Sequence, residues 1–160
     1  MNEEILGNAF IFYHACRILI KKMNEGVLAL SSGNLDAQNY QNGKLVVPII
    51  VNASFACELF LKSVLPDGTH GHALDELFTC LDQKGQDEII EYTKSAMKRS
   101  NSNYTKEQFL KDLNDSSRYF ISWRYFHEGH GLDANLEFIV NFLDALAQMA
   151  SKRKAQEDLA

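Results

Sequence analysis

Apolar side chains recur at three- and four-residue spacing through nearly the whole chain, the pattern of amphipathic helices packed on one another. Ile5, Ala9, Phe12, Cys16, Ile20 and Met23 form one such stripe and predict a long helix over about 3–23. The stretch 24–44 is polar and rich in Ser, Gly and Asn, and reads as a long connector with room for a short helical turn. Over about 47–65 the chain is apolar almost all the way round, as expected for the central helix of a bundle. Pro48 suits its first turn, and Pro66-Asp67-Gly68 stops it. A short helix over about 73–82 points Leu74, Leu77, Phe78 and Leu81 inward, and Gly85 reads as a break before a helix over about 86–99. Thr105 and Gln108 have the spacing of a capping box opening a long helix to about Glu128, which Gly129-His130-Gly131 ends. The last helix runs from about Ala134 to Lys152-Arg153-Lys154, whose charge complements the helix dipole, with 155–160 fraying beyond it. With no strand-period alternation, repeat or linker, 1–160 reads as a single all-α domain. The expected architecture is an up-and-down helical bundle of four long helices plus one or two short ones.

Composition adds boundaries to that picture. A chain of 160 residues, 46% hydrophobic and 23% charged, can bury a core without disulfide or metal staples. The balance of 16 Lys and Arg against 21 Asp and Glu gives a net charge of −5, which argues against general charge-driven binding of nucleic acid while leaving room for a local basic groove. Cys16, Cys57 and Cys80 all fall within apolar helical patterns and form no CxxC pair, so they read as buried, reduced thiols of a cytoplasmic protein. Met-Asn-Glu-Glu at the start lacks the positive segment of a secretory signal. The longest uncharged apolar run, Leu45 to Cys57, is shorter than the roughly 20 residues a bilayer span needs. The expectation is a soluble intracellular chain with no membrane segment.

Candidate chemistry is confined to a few places, since phosphate-loop, dinucleotide-binding, HExxH and GxSxG signatures are all absent. The first place is Trp123-Arg124-Tyr125-Phe126-His127-Glu128-Gly129-His130. On one continuous helix, Phe109, Leu113, Phe120, Arg124 and His127 share a stripe facing the bundle, with Arg118 and Tyr125 opposite. A guanidinium on such a stripe needs a partner or an opening. Glu128, four residues on, offers a local pair, and Glu58 offers one across the bundle. The second place is Glu58 and Lys62, four residues apart on the apolar central helix. His70 and His72 flank Gly71, but no nearby carboxylate or cysteine spacing completes a metal site, so neither metal nor cofactor is expected.

Three stretches in order resemble the HEPN-domain proteins: Val51-Asn52-Ala53-Ser54-Phe55-Ala56-Cys57-Glu58-Leu59-Phe60-Leu61-Lys62, His70-Gly71-His72-Ala73-Leu74-Asp75-Glu76-Leu77-Phe78, and Phe120-Ile121-Ser122-Trp123-Arg124-Tyr125-Phe126-His127-Glu128. With their helical frame they cover most of the chain from Leu45 onward. The resemblance implies a helical bundle that often dimerises, many members being metal-independent endoribonucleases of toxin–antitoxin, CRISPR and phage-defence systems. Their hallmark is an arginine, four to six residues, then a histidine; Arg124 and His130 have five between them. In that reading His130 is the general acid–base on the ribose or leaving oxygen and Arg124 holds the phosphate. Two features depart from the pattern: aromatic Tyr125 follows the arginine where a polar residue is usual, and His127 offers a competing, closer histidine. Glu58, Lys62 and Glu128 are the supporting polar residues. The implied partners are RNA and a second copy of the chain, whose contact Tyr119, Trp123 and Phe126 would furnish as a partly uncovered aromatic flank. The alternative implied by non-catalytic relatives is a module binding a nucleotide or a protein partner such as a nucleotidyltransferase antitoxin.

Overall fold

Asn2 opens the fold by accepting the Ile5 N–H on its side chain at 3.1 Å, and Glu3 and Glu4 place negative charge in the first turn. The helix it starts, α1 (Glu3–Ser31), is followed by α2 (Ala37–Gly43), α3 (Val46–Val64), α4 (Leu74–Thr79), α5 (Gln83–Met97), α6 (Lys106–Ser116), α7 (Tyr119–Arg124) and α8 (Leu136–Glu157). The computed structural model describes residues 1–125 and 133–159. Among these there is no strand, and the molecule is an all-α helical bundle.

α3 sits at the centre because it has little polar surface to show to water. Its Ile49, Ile50, Ala53, Ala56, Cys57, Phe60 and Leu61 are fully buried, and it packs against α1, α8, α7 and α4. Phe10 meets Phe60 and Phe12 meets Phe55 edge-to-face, with centroids 5.0 and 4.7 Å apart, which fixes α1 against α3. A second aromatic cluster joins the other half. Phe78 of α4, Phe109 of α6, and Phe138 and Phe142 of α8 have ring centroids 5.6 to 6.2 Å apart. The stretch Ala37–Val64 is long and apolar enough to cross a membrane by length and composition; here it is interrupted between α2 and α3 and half of its apolar window lies inside the bundle.

Several expected boundaries are corrected. The connector over 24–44 is largely helical: α1 continues to Ser31, and α2 forms behind an Asp36 cap whose carboxylate accepts the Asn39 N–H at 2.7 Å. Gly26 permits this pairing, since a Cβ there would lie 2.7 Å from the Gly43 backbone nitrogen and 2.8 Å from the Asn39 carbonyl oxygen. Gly85 does not break α5 but lies inside it, under the guanidinium of Arg153, which pairs with Asp82. α8 extends to Glu157 instead of fraying after Lys154. The Met1 ammonium meets Glu157 at 3.3 Å, and Lys154 meets Glu3 at 2.6 Å. Cys16 and Cys57 are buried, but Cys80 is exposed as the residue that ends α4.

The largest correction concerns 105–128. The capping box is present, Thr105 and Gln108 each serving the other's backbone. The helix nevertheless ends at Ser116, and α7 starts anew at Tyr119. α4 has no side-chain cap of its own. The Ser117 carbonyl instead accepts the Leu74 N–H at 3.1 Å and the Ser117 hydroxyl accepts the Asp75 N–H at 3.3 Å, satisfying the first donors of α4. Tyr119 of the expected aromatic flank is buried, its hydroxyl accepting the Asn135 N–H at 3.1 Å, and Trp123 is half-buried; Phe126 lies outside the described residues.

Candidate functional site

A break at Ser117 and Arg118 resets the helical phase, so residues beyond it no longer continue the stripe of Phe109 and Leu113. Phe120 still turns inward and stacks on Phe55 of α3 at 4.6 Å, seating α7 on the central helix. Arg124, one turn later, is solvent-exposed. Its guanidinium lies 4.8 Å from the Phe120 ring centroid and 5.4 Å from that of Tyr125, and its Nη2 donates to the Tyr125 hydroxyl at 3.3 Å. Arginine on aromatic faces keeps in-plane donors available for a second acceptor, such as two oxygens of a phosphate. His127, Glu128 and His130 lie outside the described residues, so the expected Arg124–His130 pair and the Arg124–Glu128 alternative fall partly there. The described chain on either side is tied together by Tyr119 and Asn135, and the Asn135 side chain also caps α8 through the Phe138 N–H at 3.0 Å.

Glu58 has other partners than the expected Arg124. It is 2% exposed, and its Oε1 accepts from Lys62 Nζ at 2.8 Å and from His72 Nδ1 at 2.8 Å. Its Oε2 is sealed from solvent and has no hydrogen-bond partner among the described residues. A buried carboxylate needs such donors, and the local Lys62 alone leaves it under-satisfied. His72 arrives through the turn at Gly71, whose φ of +105° lies where a side chain is strained. From there the chain enters α4, held at Ser117 beside the start of α7.

The candidate residues therefore gather on one side of α3. Phe55 seats α7 and its Arg124, and Glu58, one turn further along, anchors Lys62 and His72. The sequence singles out Arg124, Glu58 and Lys62, and its local Glu58–Lys62 pair is present at 2.8 Å. The cross-bundle pairing of Glu58 with Arg124 is not, and His72, read from the sequence as half of a weak metal pair or as the start of the next helix, meets Glu58 instead. The available signal was the lone carboxylate on an apolar helix, which demands donors from elsewhere, and a glycine-led turn placing a histidine where one could come from. Fold and side chains together define an all-α bundle with an exposed, aromatic-backed arginine and a buried carboxylate gripping a lysine and a histidine. In comparisons with known proteins, no family model, curated protein or solved structure matches the chain.

Proposed function

We propose that the chain is a HEPN-type, metal-independent endoribonuclease that acts as a homodimer, with Arg124 holding the scissile phosphate and His130 moving the proton. The observation that carries this reading is the exposed guanidinium of Arg124, laid over Phe120 and Tyr125 and not sealed against Glu58. An arginine kept only to build the bundle would be expected with its charge closed on the buried carboxylate; this one is presented to solvent. Because RNA carries its own nucleophile in the ribose 2′-hydroxyl, such a site needs only a phosphate clamp and an acid–base group. A toxin–antitoxin or phage-defence role belongs to the same proposal, whereas a nucleotide or a nucleotidyltransferase antitoxin is the partner of the non-catalytic alternative.

The test is cleavage of single-stranded RNA by the purified full chain. Products should end in 2′,3′-cyclic phosphate and form equally well in EDTA. Arg124→Ala and His130→Ala should each lower the rate by about 10²–10⁴-fold, the usual weight of a general acid–base or charge-stabilising group. His127→Ala should do less. Wild-type protein that leaves varied RNAs uncut overturns the enzyme and leaves the non-catalytic module; cleavage lost only in His127→Ala keeps the enzyme and moves the histidine.

A further inference from the structure

Glu58 and His72 are arranged as an oriented carboxylate–imidazole dyad. A carboxylate can only accept, so the 2.8 Å contact from Glu58 Oε1 places the proton on His72 Nδ1. The neutral ring then carries its lone pair on Nε2, and the His72 side chain is 59% exposed, so that nitrogen is accessible from solvent. The carboxylate end is the opposite. Glu58 is almost wholly buried on the central helix, and its Oε1 also accepts from Lys62 at 2.8 Å. A buried carboxylate holding the inner nitrogen of an exposed imidazole fixes the tautomer and the ring orientation.

His72 supplies a donor to the buried carboxylate, yet its contact leaves the rest of the ring on the surface. A carboxylate retained for stability alone would be expected to have both oxygens satisfied, whereas Glu58 Oε2 has no partner among the described residues. The loop bearing His72 is fastened beside α7, since Leu74 and Asp75 bond to Ser117, two residues before α7 begins. The same side of α3 that seats Phe120 under Arg124 therefore also carries the dyad.

We infer that His72 is a second catalytic histidine of the RNA cleavage, acting as the general base, and that Glu58 is its positioning residue; this rests on the proposed ribonuclease reading. His72 Nε2 takes the proton of the ribose 2′-hydroxyl as that oxygen forms its bond to the adjacent phosphorus. The bond from phosphorus to the 5′ oxygen breaks, and the departing oxygen takes a proton from the surrounding water. The products are a 2′,3′-cyclic phosphate and a 5′-hydroxyl, with the proton gained at His72 returned to solvent.

The experiment measures kcat and KM on a short fluorescent RNA for the wild-type chain and for His72→Ala, His72→Asn, Glu58→Gln and His70→Ala, with melting curves to confirm folding. His72→Asn retains an amide N–H to reach Glu58 but has no basic nitrogen, so it separates folding from chemistry. Both His72 variants should lose about 10²–10⁴-fold in kcat with KM little changed, and exogenous imidazole should restore part of the rate to His72→Ala. Glu58→Gln should lower kcat in the wild-type background and cost nothing further in His72→Ala. His70→Ala should be unaffected. Full activity in folded His72→Asn, or His72→Ala that is slow but not rescued by imidazole, overturns the inference while Arg124→Ala still reports on the ribonuclease. Wild-type protein that cuts no RNA overturns both.

Discussion

Phe109 is fully buried among the rings of Phe78, Phe138 and Phe142, so truncating it leaves a cavity that three aromatic neighbours cannot collapse to fill. Phe109→Ala should lower unfolding free energy by about 3–5 kcal/mol in a denaturant titration. Arg124→Ala, by contrast, removes an exposed charge resting on Phe120 and should change stability by less than about 1 kcal/mol. The contrast matters for function, because it lets a loss of cleavage in Arg124→Ala be read as chemistry and not as unfolding. If Arg124→Ala destabilises as much as Phe109→Ala, the guanidinium is part of the packed structure and the phosphate-holding role fails. Glu58 lies between these extremes: its carboxylate is buried like Phe109, but its partners Lys62 and His72 reach outward to water.

At the level of elements, helix–helix approach is set by a few positions without bulk. Gly26 lets α2 lie directly on α1, and Gly26→Ala would drive a methyl group into the Asn42 side chain and the Gly43 backbone. Backbone cannot rotate away as a side chain can, so this variant should cost about 1–3 kcal/mol and expose the 32–45 region to proteolysis before the rest of the chain. Gly7→Ala, where nothing lies within reach, is the matched control and should be neutral or slightly stabilising. Equal behaviour of the two variants would show that α2 does not dock as described. Such close approaches explain which elements were legible in the sequence. The stripe of α1 up to Met23, the apolar α3, the Thr105 capping box and α8 were readable because each is a local pattern. The extension of α1, the inclusion of Gly85 in α5 and the break at Ser117 were not, because their causes are distant in the chain: α2 for Gly26, Arg153 for Gly85, and the uncapped start of α4 for Ser117. The site followed the same rule. Its members Arg124, Glu58 and Lys62 could be named from residue type and spacing. The pairing of Glu58 with His72 depends on a turn at Gly71 and on Ser117 holding α4 in place.

For the whole molecule, the surface pairs that join chain ends and helices, such as Lys154 with Glu3 and Arg17 with Asp144, are exposed and contribute little each. The buried thiols and phenols respond more strongly to pH. Burial pushes the Cys16 thiol up to about 11 and raises Cys57 well above its usual value, while burial and the hydrogen bond to Asp112 at 2.6 Å raise Tyr104. In the unfolded chain these groups release their protons at about pH 8.5–10. The folded chain still holds them there, so stability is fully present below that window and falls as pH rises from the unfolded values toward the folded ones. Lys111 and Lys154, raised by their partners Asp115 and Glu3, act in the same direction at higher pH, but as exposed pairs they are screened by salt. Melting temperature should therefore be nearly constant from about pH 6.5 to 8 and fall steeply from about pH 9 to 10.5, with most of the fall surviving about 0.5 M salt. Tyr104→Phe, which removes one phenol while keeping the ring, should lower the melting temperature at neutral pH and narrow the neutral-to-alkaline difference. Each of these groups is contributed by a different part of the chain, Cys16 by α1, Cys57 by α3 and Tyr104 by the residue before the α6 cap. An alkaline fall that salt abolishes would assign it to the surface pairs, and a melting temperature unchanged at about pH 10.5 would show that the thiols and the phenol are not enclosed by the packing of those helices.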